Sequence, residues 1–205
     1  MALRSAFSGC PPQTGHPHDG AHRDGPNVTG PAPESVEIRR LDGEELAASI
    51  EALAGILVDC VDGGASVGFM PPFTLPDATA VFEKAAAEVA AGNRLLLGAF
   101  LEGELVGTVQ VVLTLPANQP HRGEITKLLT HRSARNQGVA HRLMERAEAE
   151  AQGEGITLLV LDTCAGTAAE RLYLRLGWTR VGLIPGYALY PDGSICDTVV
   201  FWKQV

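Results

Sequence analysis

Apolar positions along the chain recur with two different periods, and the switches between them mark out a series of strands and helices. Residues 36–41 (VEIRRL) read as a strand, and 43–61 as a helix with Leu46, Ile50, Leu53, Leu57 and Val58 at helical spacing. A loop follows at 62–72 (DGGASVGFMPP), glycine-rich yet carrying Val67, Phe69 and Met70, which suits either a plug in the core or a flap over a cleft. Residues 76–91 form a second helix, opened by Pro76 and closed by Gly92. Strands at 95–101 and 105–115 flank the hairpin signal Glu102-Gly103-Glu104. A buried strand at 124–130 leads into a helix at 139–151, with Val139, Leu143, Ala147 and Ala151 along one face. The run 156–163 (ITLLVLDT) is a strand apolar on both faces, and 167–176 is a short helix stopped by Gly177. Last come strands at 178–184 and 195–202, joined by PGYALYPDGS with its turn at Pro191-Asp192-Gly193. The order β-α-α-β-β-β-α-β-α-β-β predicts an α/β fold: a mixed sheet of about seven strands with about four helices on its two sides.

That series begins at residue 36. Residues 1–35 hold six of the thirteen prolines and hardly any aliphatic side chains, so they cannot bury enough apolar area to offset the entropy of ordering. They are expected to be a disordered tail, with 36–205 as the folded domain; His16, His18 and His22 in the tail are read as incidental, and no metal site is expected. The four cysteines (Cys10, Cys60, Cys164, Cys196) show no paired spacing, so reduced thiols and the cytoplasm are the default expectation. No apolar run reaches membrane-spanning length, and a net charge of −8 argues against nucleic acid as a partner. Oligomeric state is not legible, which leaves a homodimer open.

Between the strand at 124–130 and the helix at 139–151 lies the hexad Arg135-Asn136-Gln137-Gly138-Val139-Ala140. A helix starting there leaves its first N–H groups unpaired and points the positive end of its dipole at the turn, so the turn can bind an anion. An ordinary helix start with a glycine has the same look. Some thirty residues on comes Ala169-Glu170-Arg171-Leu172-Tyr173-Leu174-Arg175-Leu176-Gly177-Trp178, a helix end feeding a strand. R-x-x-G-x-A on strand-turn-helix, then a strand, then A-x-x-L-Y-x-x-x-G-W, resembles the GCN5-related N-acetyltransferase (GNAT) superfamily across 36–205. The pieces DGGASVGFM, EITKLL, LDT and IPGYALYPDG are similar to the tabtoxin-resistance acetyltransferases, which acetylate the amine of a small β-lactam amino acid.

The resemblance implies a mostly antiparallel sheet and acetyl-CoA as acyl donor. It implies that the backbone of Arg135, Asn136, Gln137, Gly138, Val139 and Ala140, with His141 at the helix start, holds the pyrophosphate. Lys127, Leu128 and Leu129 would pair through their backbone with the pantetheine arm, and the acetyl group would lie where this strand splays from 156–163. Tyr173 would protonate the departing thiolate. Where many members carry asparagine, seven residues before the tyrosine, this chain has Gly166. The similarity of the glycine loop favours a substrate-side flap, with Gly63, Gly64, Ser66, Phe69 and Met70 touching the substrate.

Only a neutral amine attacks a thioester, so the site needs a proton acceptor. Glu124 and Asp162, at the ends of the two splayed strands, are the candidates. A backbone N–H near Leu129 would meet charge on the thioester oxygen. Transfer would be direct, in a ternary complex; an acetyl-enzyme on Cys164 lacks a histidine to activate the thiol. The expected reaction is acetylation of the primary amine of a small molecule, an amino-acid-like toxin or antibiotic being the class that the resemblance points to. The alternatives are a protein N-terminal or lysine acetyltransferase, and a non-catalytic acyl-CoA-binding module.

Overall fold

The computed structural model describes residues 36–205; the tail expected at 1–35 lies outside the described residues. The elements follow the predicted order: β1 Glu37–Arg40, α1 Gly43–Asp62, α2 Leu75–Ala90, β2 Arg94–Leu101, β3 Glu104–Val112, β4 Arg122–Thr130, α3 Val139–Gly153, β5 Leu158–Cys164, α4 Ala168–Arg175, β6 Thr179–Leu189 and β7 Ile195–Gln204. A single 3-10 turn, Arg132–Ala134, links β4 to the hexad. The seven strands form one sheet in the order β1-β2-β3-β4-β5-β7-β6, antiparallel throughout except for the parallel pair β4 and β5.

The second helix is fixed at its start by its own chemistry before it packs. In α2 the Thr74 side chain accepts from the Asp77 N–H while Asp77 accepts from the Thr74 N–H, and a proline sits in the first turn. Buried Leu46, Leu53, Leu57 and Phe82 join α1 and α2 to Leu96 and Phe100 on one face of the sheet. On the other face the α3 stripe Val139, Leu143, Met144, Ala147 and Ala151 meets Val109, Val111, Leu159 and Phe201. Gly107 on β3 allows the close approach of α3, since a Cβ there would lie 2.9 Å from Val139 and 3.0 Å from the Leu129 carbonyl.

β4 and β5 stay paired only from Arg122↔Leu158 to Glu124↔Val160, and then part. Beyond that point β5 remains on β7 as far as Cys164↔Thr198, while β4 remains on β3. The cause lies in β4: its partners on β3 step from Thr126 to Leu129 while β3 advances only from Gln110 to Thr108. That extra residue is a bulge, and Lys127 sits in it with φ of 51°.

Two expectations need correction. β6 does not stop at 184 but runs through Pro185 and Gly186 to Leu189, because it is the edge strand, where a missing N–H costs no ladder bond and a register shift between Ile184 and Ala188 absorbs the irregularity. Nor are all the thiols reduced: Cys164 and Cys196 form a disulfide, with Cα atoms 6.1 Å apart. Cys164 is level with Thr198 on β7, and Cys196 lies two residues further along on the same face, a register invisible in sequence spacing. Cys60 is free and buried. Among the described residues no helix is long and apolar enough to cross a membrane.

Candidate active site

The divergence of β4 and β5 opens a cleft of about 700 Å³. Its walls are residues 64–70 of the loop after α1, residues 125–128 of β4, residues 162–164 of β5, Tyr173 of α4, and residues 187–190 at the end of β6. The glycine loop serves in both of its imagined capacities. Val67 and Phe69 pack against the α1 and α2 cluster, with Phe69 stacked on Phe73 at 4.5 Å, while the loop as a whole forms one wall of the cleft. Two bonds hold it across the opening: the Ser66 hydroxyl donates to the Leu189 carbonyl at 2.7 Å, and Lys127 Nζ donates to the Val67 carbonyl at 2.9 Å.

Of the substrate-side residues expected from sequence, Gly64, Ser66, Phe69 and Met70 line this cleft. Gly63 does not; it is packed at the end of α1, where a Cβ would lie 3.1 Å from the Asp59 carbonyl and 3.4 Å from the Arg135 guanidinium. Asp162 faces the cleft with its side chain exposed. Glu124 lies outside the lining, at the last paired position before the splay, with Arg122 3.7 Å away. Tyr173 is 5% exposed, wedged against Trp178 and Phe201 with ring centroids 6.0 and 5.9 Å away. Its hydroxyl finds no hydrogen-bond partner among the described residues, and burial together with the nearby Asp162 charge pushes the phenol above its ordinary value. Cys164 also lines the cleft, but its sulfur is committed to the disulfide. Gly166, at the position where many members of the resembled superfamily carry asparagine, adopts φ of 75°, and its N–H donates to the Glu170 carboxylate at 2.6 Å.

Beside the cleft the hexad forms the turn into α3. Gly138 caps the helix in a left-handed conformation, φ of 79°, with open space where a side chain would begin. Nothing among the described residues accepts from the N–H groups of Gln137, Gly138, Val139, Ala140 or His141; the first helical bond runs from Arg142 to the Gly138 carbonyl. Val139 itself is buried in the core, so only its backbone is offered to a ligand.

Sequence reasoning gave no hint of what holds this turn. Asp59, its side chain 9% exposed near the end of α1, accepts from the Arg132 N–H at 2.9 Å and from the Arg132 guanidinium. The His131 ring lies 3.5 Å and the Arg135 guanidinium 3.9 Å from the same carboxylate. Arg135 is thereby drawn toward α1, with its Nε 3.4 Å from the Thr130 carbonyl. Burial alone would raise the Asp59 carboxyl, but the Arg132 N–H and side chain and the His131 charge outweigh it and hold it below the ordinary carboxylate value. The wall made by residues 187–190 was also missed, since the hydrophobic pattern assigns those residues to a connecting turn.

The acetyltransferase (GNAT) family model matches residues 65–178. Solved structures of the same fold include the ribosomal-protein-alanine N-acetyltransferase of Brucella melitensis, 22% identical, with a TM-score of 0.69 over 82% of this chain and 99% of that one. Another is yncA of Salmonella typhimurium, solved with its cofactor acetyl-CoA, 20% identical, with a TM-score of 0.69 over 83% of this chain and 94% of that one. A third is a GCN5-related N-acetyltransferase of Kribbella flavida, 19% identical, with a TM-score of 0.68 over 85% of this chain and 100% of that one. At such identities the likeness bears on fold. The family match, which covers more than half of the chain and runs from the cleft loop through the hexad to Trp178, bears on kinship: this chain belongs to the acetyltransferase (GNAT) family.

Proposed function

We propose that this protein is an acetyl-CoA-dependent N-acetyltransferase acting on the primary amine of a small molecule, in the manner of the tabtoxin-resistance enzymes. The observation that carries this reading is the cleft at the splay of β4 and β5, roofed by a loop that Ser66 and Lys127 tie down on opposite sides. A roofed cleft suits a compact acceptor better than a polypeptide.

The residues present fit the donor. Five backbone N–H groups without acceptors among the described residues, around a glycine with open space above it, suit a pyrophosphate. Beyond Glu124, the edge of β4 that faces β5 has no ladder partner among the described residues, which leaves the backbone of Lys127, Leu128 and Leu129 available to an extended arm. When bound, acetyl-CoA supplies the activated acyl group and a thiol leaving group. Asp162 attracts the acceptor's ammonium group and takes its proton, directly or through water, while Glu124, outside the cleft lining, acts at longer range. A backbone N–H of the bulge, near Leu129, donates to the carbonyl oxygen as charge builds there. Tyr173, held in its neutral form by burial, gives its phenolic proton to the departing sulfur.

Thiol release from acetyl-CoA, measured with small primary amines and with peptides bearing a free N-terminus or a lysine, tests the reading. Turnover of small amines with peptides inert is the expected result. Turnover of peptides alone would replace the small-molecule reading, and no release with any amine would reduce the protein to an acyl-CoA-binding module.

A further inference from the structure

β6 is the outermost strand of the sheet, paired on one side with β7 and on the other with nothing among the described residues. Its faces are open as well. Leu183 and Ile184, successive residues that point to opposite faces of a strand, are 43% and 42% exposed. Of the ten large apolar side chains that the described residues leave exposed, six belong to β6 or to the first position of β7: Val181, Leu183, Ile184, Tyr187, Leu189 and Ile195. Clustering of this kind marks an interaction surface, where the same number scattered singly would mean nothing. An open apolar edge also invites uncontrolled strand pairing, which chains commonly avoid by placing charge on it. In TRVGLIPGYAL the only charge is Arg180, and its guanidinium lies 3.6 Å from the Glu170 carboxylate. Pro185 interrupts the edge, so whatever covers β6 meets its side chains rather than a continuous ladder.

Three observations point to a second copy of this chain as the partner. The six side chains, roughly half uncovered, expose on the order of 600 Å²; a homodimer buries about 800 Å² per subunit, of which about 65%, or roughly 500 Å², is apolar. Charge agrees with area. At a net charge of −8 the chain as a whole repels its own copies, whereas the single charge on β6 is already compensated. Residues 1–35 are no rival for the patch, because they hold hardly any aliphatic side chains to match it. An edge strand meets its own copy about a two-fold axis, so one patch supplies both halves of the contact.

The patch also runs into the active-site cleft. Tyr187 and Leu189 belong to both, and the Leu189 carbonyl holds the roof loop through Ser66. We propose that this protein forms a two-fold homodimer through β6, and that the partner copy closes the mouth of the cleft beside Tyr187. In the single chain that wall is unfinished: Tyr187, 59% exposed, is packed only when the partner covers it. The interface stands apart from the proposed transfer, and its effect on the acceptor rests on that reading.

Analytical ultracentrifugation of the full chain across the micromolar range should show twice the chain's mass, and amide exchange in residues 179–189 should be slower at high protein concentration than at low. Val181→Glu and Ile195→Glu fall at the two most exposed positions of the patch, outside the cleft lining. Together they should give a monomer that melts cooperatively and shows no such difference in exchange. Should that pair fail to fold, Val181→Ser with Ile195→Ser should still weaken association by about tenfold or more. For a small primary amine that the wild-type enzyme turns over, the monomeric variant should show a KM raised about fivefold or more, with the KM for acetyl-CoA unchanged. A wild-type monomer at every concentration, or a dimer whose 179–189 amides exchange as fast as a monomer's, would overturn the interface. An unchanged amine KM in the monomeric variant would overturn the closing of the cleft. If no amine is turned over at all, the proposed transfer fails, and mass and exchange still decide the interface by themselves.

Discussion

Replacing Tyr173 with phenylalanine separates chemistry from packing in a single substitution. The ring, buried between Trp178 and Phe201, keeps its contacts, and the hydroxyl leaves no bonded partner behind among the described residues. The cost in stability should therefore stay within about 1 kcal/mol, a shift of a few degrees in Tm. Turnover should fall much further. Losing a positioned general acid lowers kcat by about 10²- to 10⁴-fold, or roughly 2.7–5.5 kcal/mol of barrier. The assay is thiol release at saturating acetyl-CoA and amine, accompanied by calorimetric titration of acetyl-CoA and a melting curve. Acetyl-CoA affinity should not change. Because the phenol is raised, the wild-type enzyme should show no loss of activity attributable to Tyr173 below about pH 10. A kcat within twofold of wild type, in a protein that melts normally, would remove Tyr173 from the proton path.

Gly138→Glu puts bulk and negative charge at a left-handed position beside five N–H groups that have no acceptor among the described residues, and calorimetry should detect no acetyl-CoA binding; normal affinity would refute the phosphate assignment. Asp59→Asn should cost about 1–3 kcal/mol at pH 7 and weaken acetyl-CoA binding, since Asp59 anchors the turn before the hexad. Its folded carboxyl titrates below the ordinary value, so its contribution is present above about pH 4 and is lost as pH falls further. The stability gap between variant and wild type should accordingly close in acid, and a gap that persists at pH 2 would contradict the ion-pair account. Peptide mapping without reductant should recover Cys164 and Cys196 joined to each other, whereas two free thiols would restore the expectation from sequence.

What the sequence disclosed followed the range of the interactions. Periodicity within one element was enough to find seven strands and four helices, because burial of one face leaves a local signature. The hexad was legible for the same reason, as a strand, a glycine and a helix start lie within a few residues. Asp59 was not, since its partner Arg132 lies 73 residues away and nothing near Asp59 announces it. The disulfide depends on how β5 and β7 align, and β6 hid its last residues behind Pro185, which ends most strands but not one at a sheet edge. Lys127 is the sharpest case. Read as backbone for the donor, it also sends its side chain to the Val67 carbonyl, from a left-handed bulge that no pattern in EITKLL foretells.

The central claim is that the hexad and the splayed strands hold acetyl-CoA with its acyl group in the roofed cleft. A crystal structure with acetyl-CoA bound tests it most directly. The pyrophosphate should sit on the N–H groups of residues 137–141, with the acetyl carbon between β4 and β5 within reach of Tyr173 and Asp162. A pyrophosphate bound elsewhere, or an acetyl group pointing away from Tyr173, would contradict it.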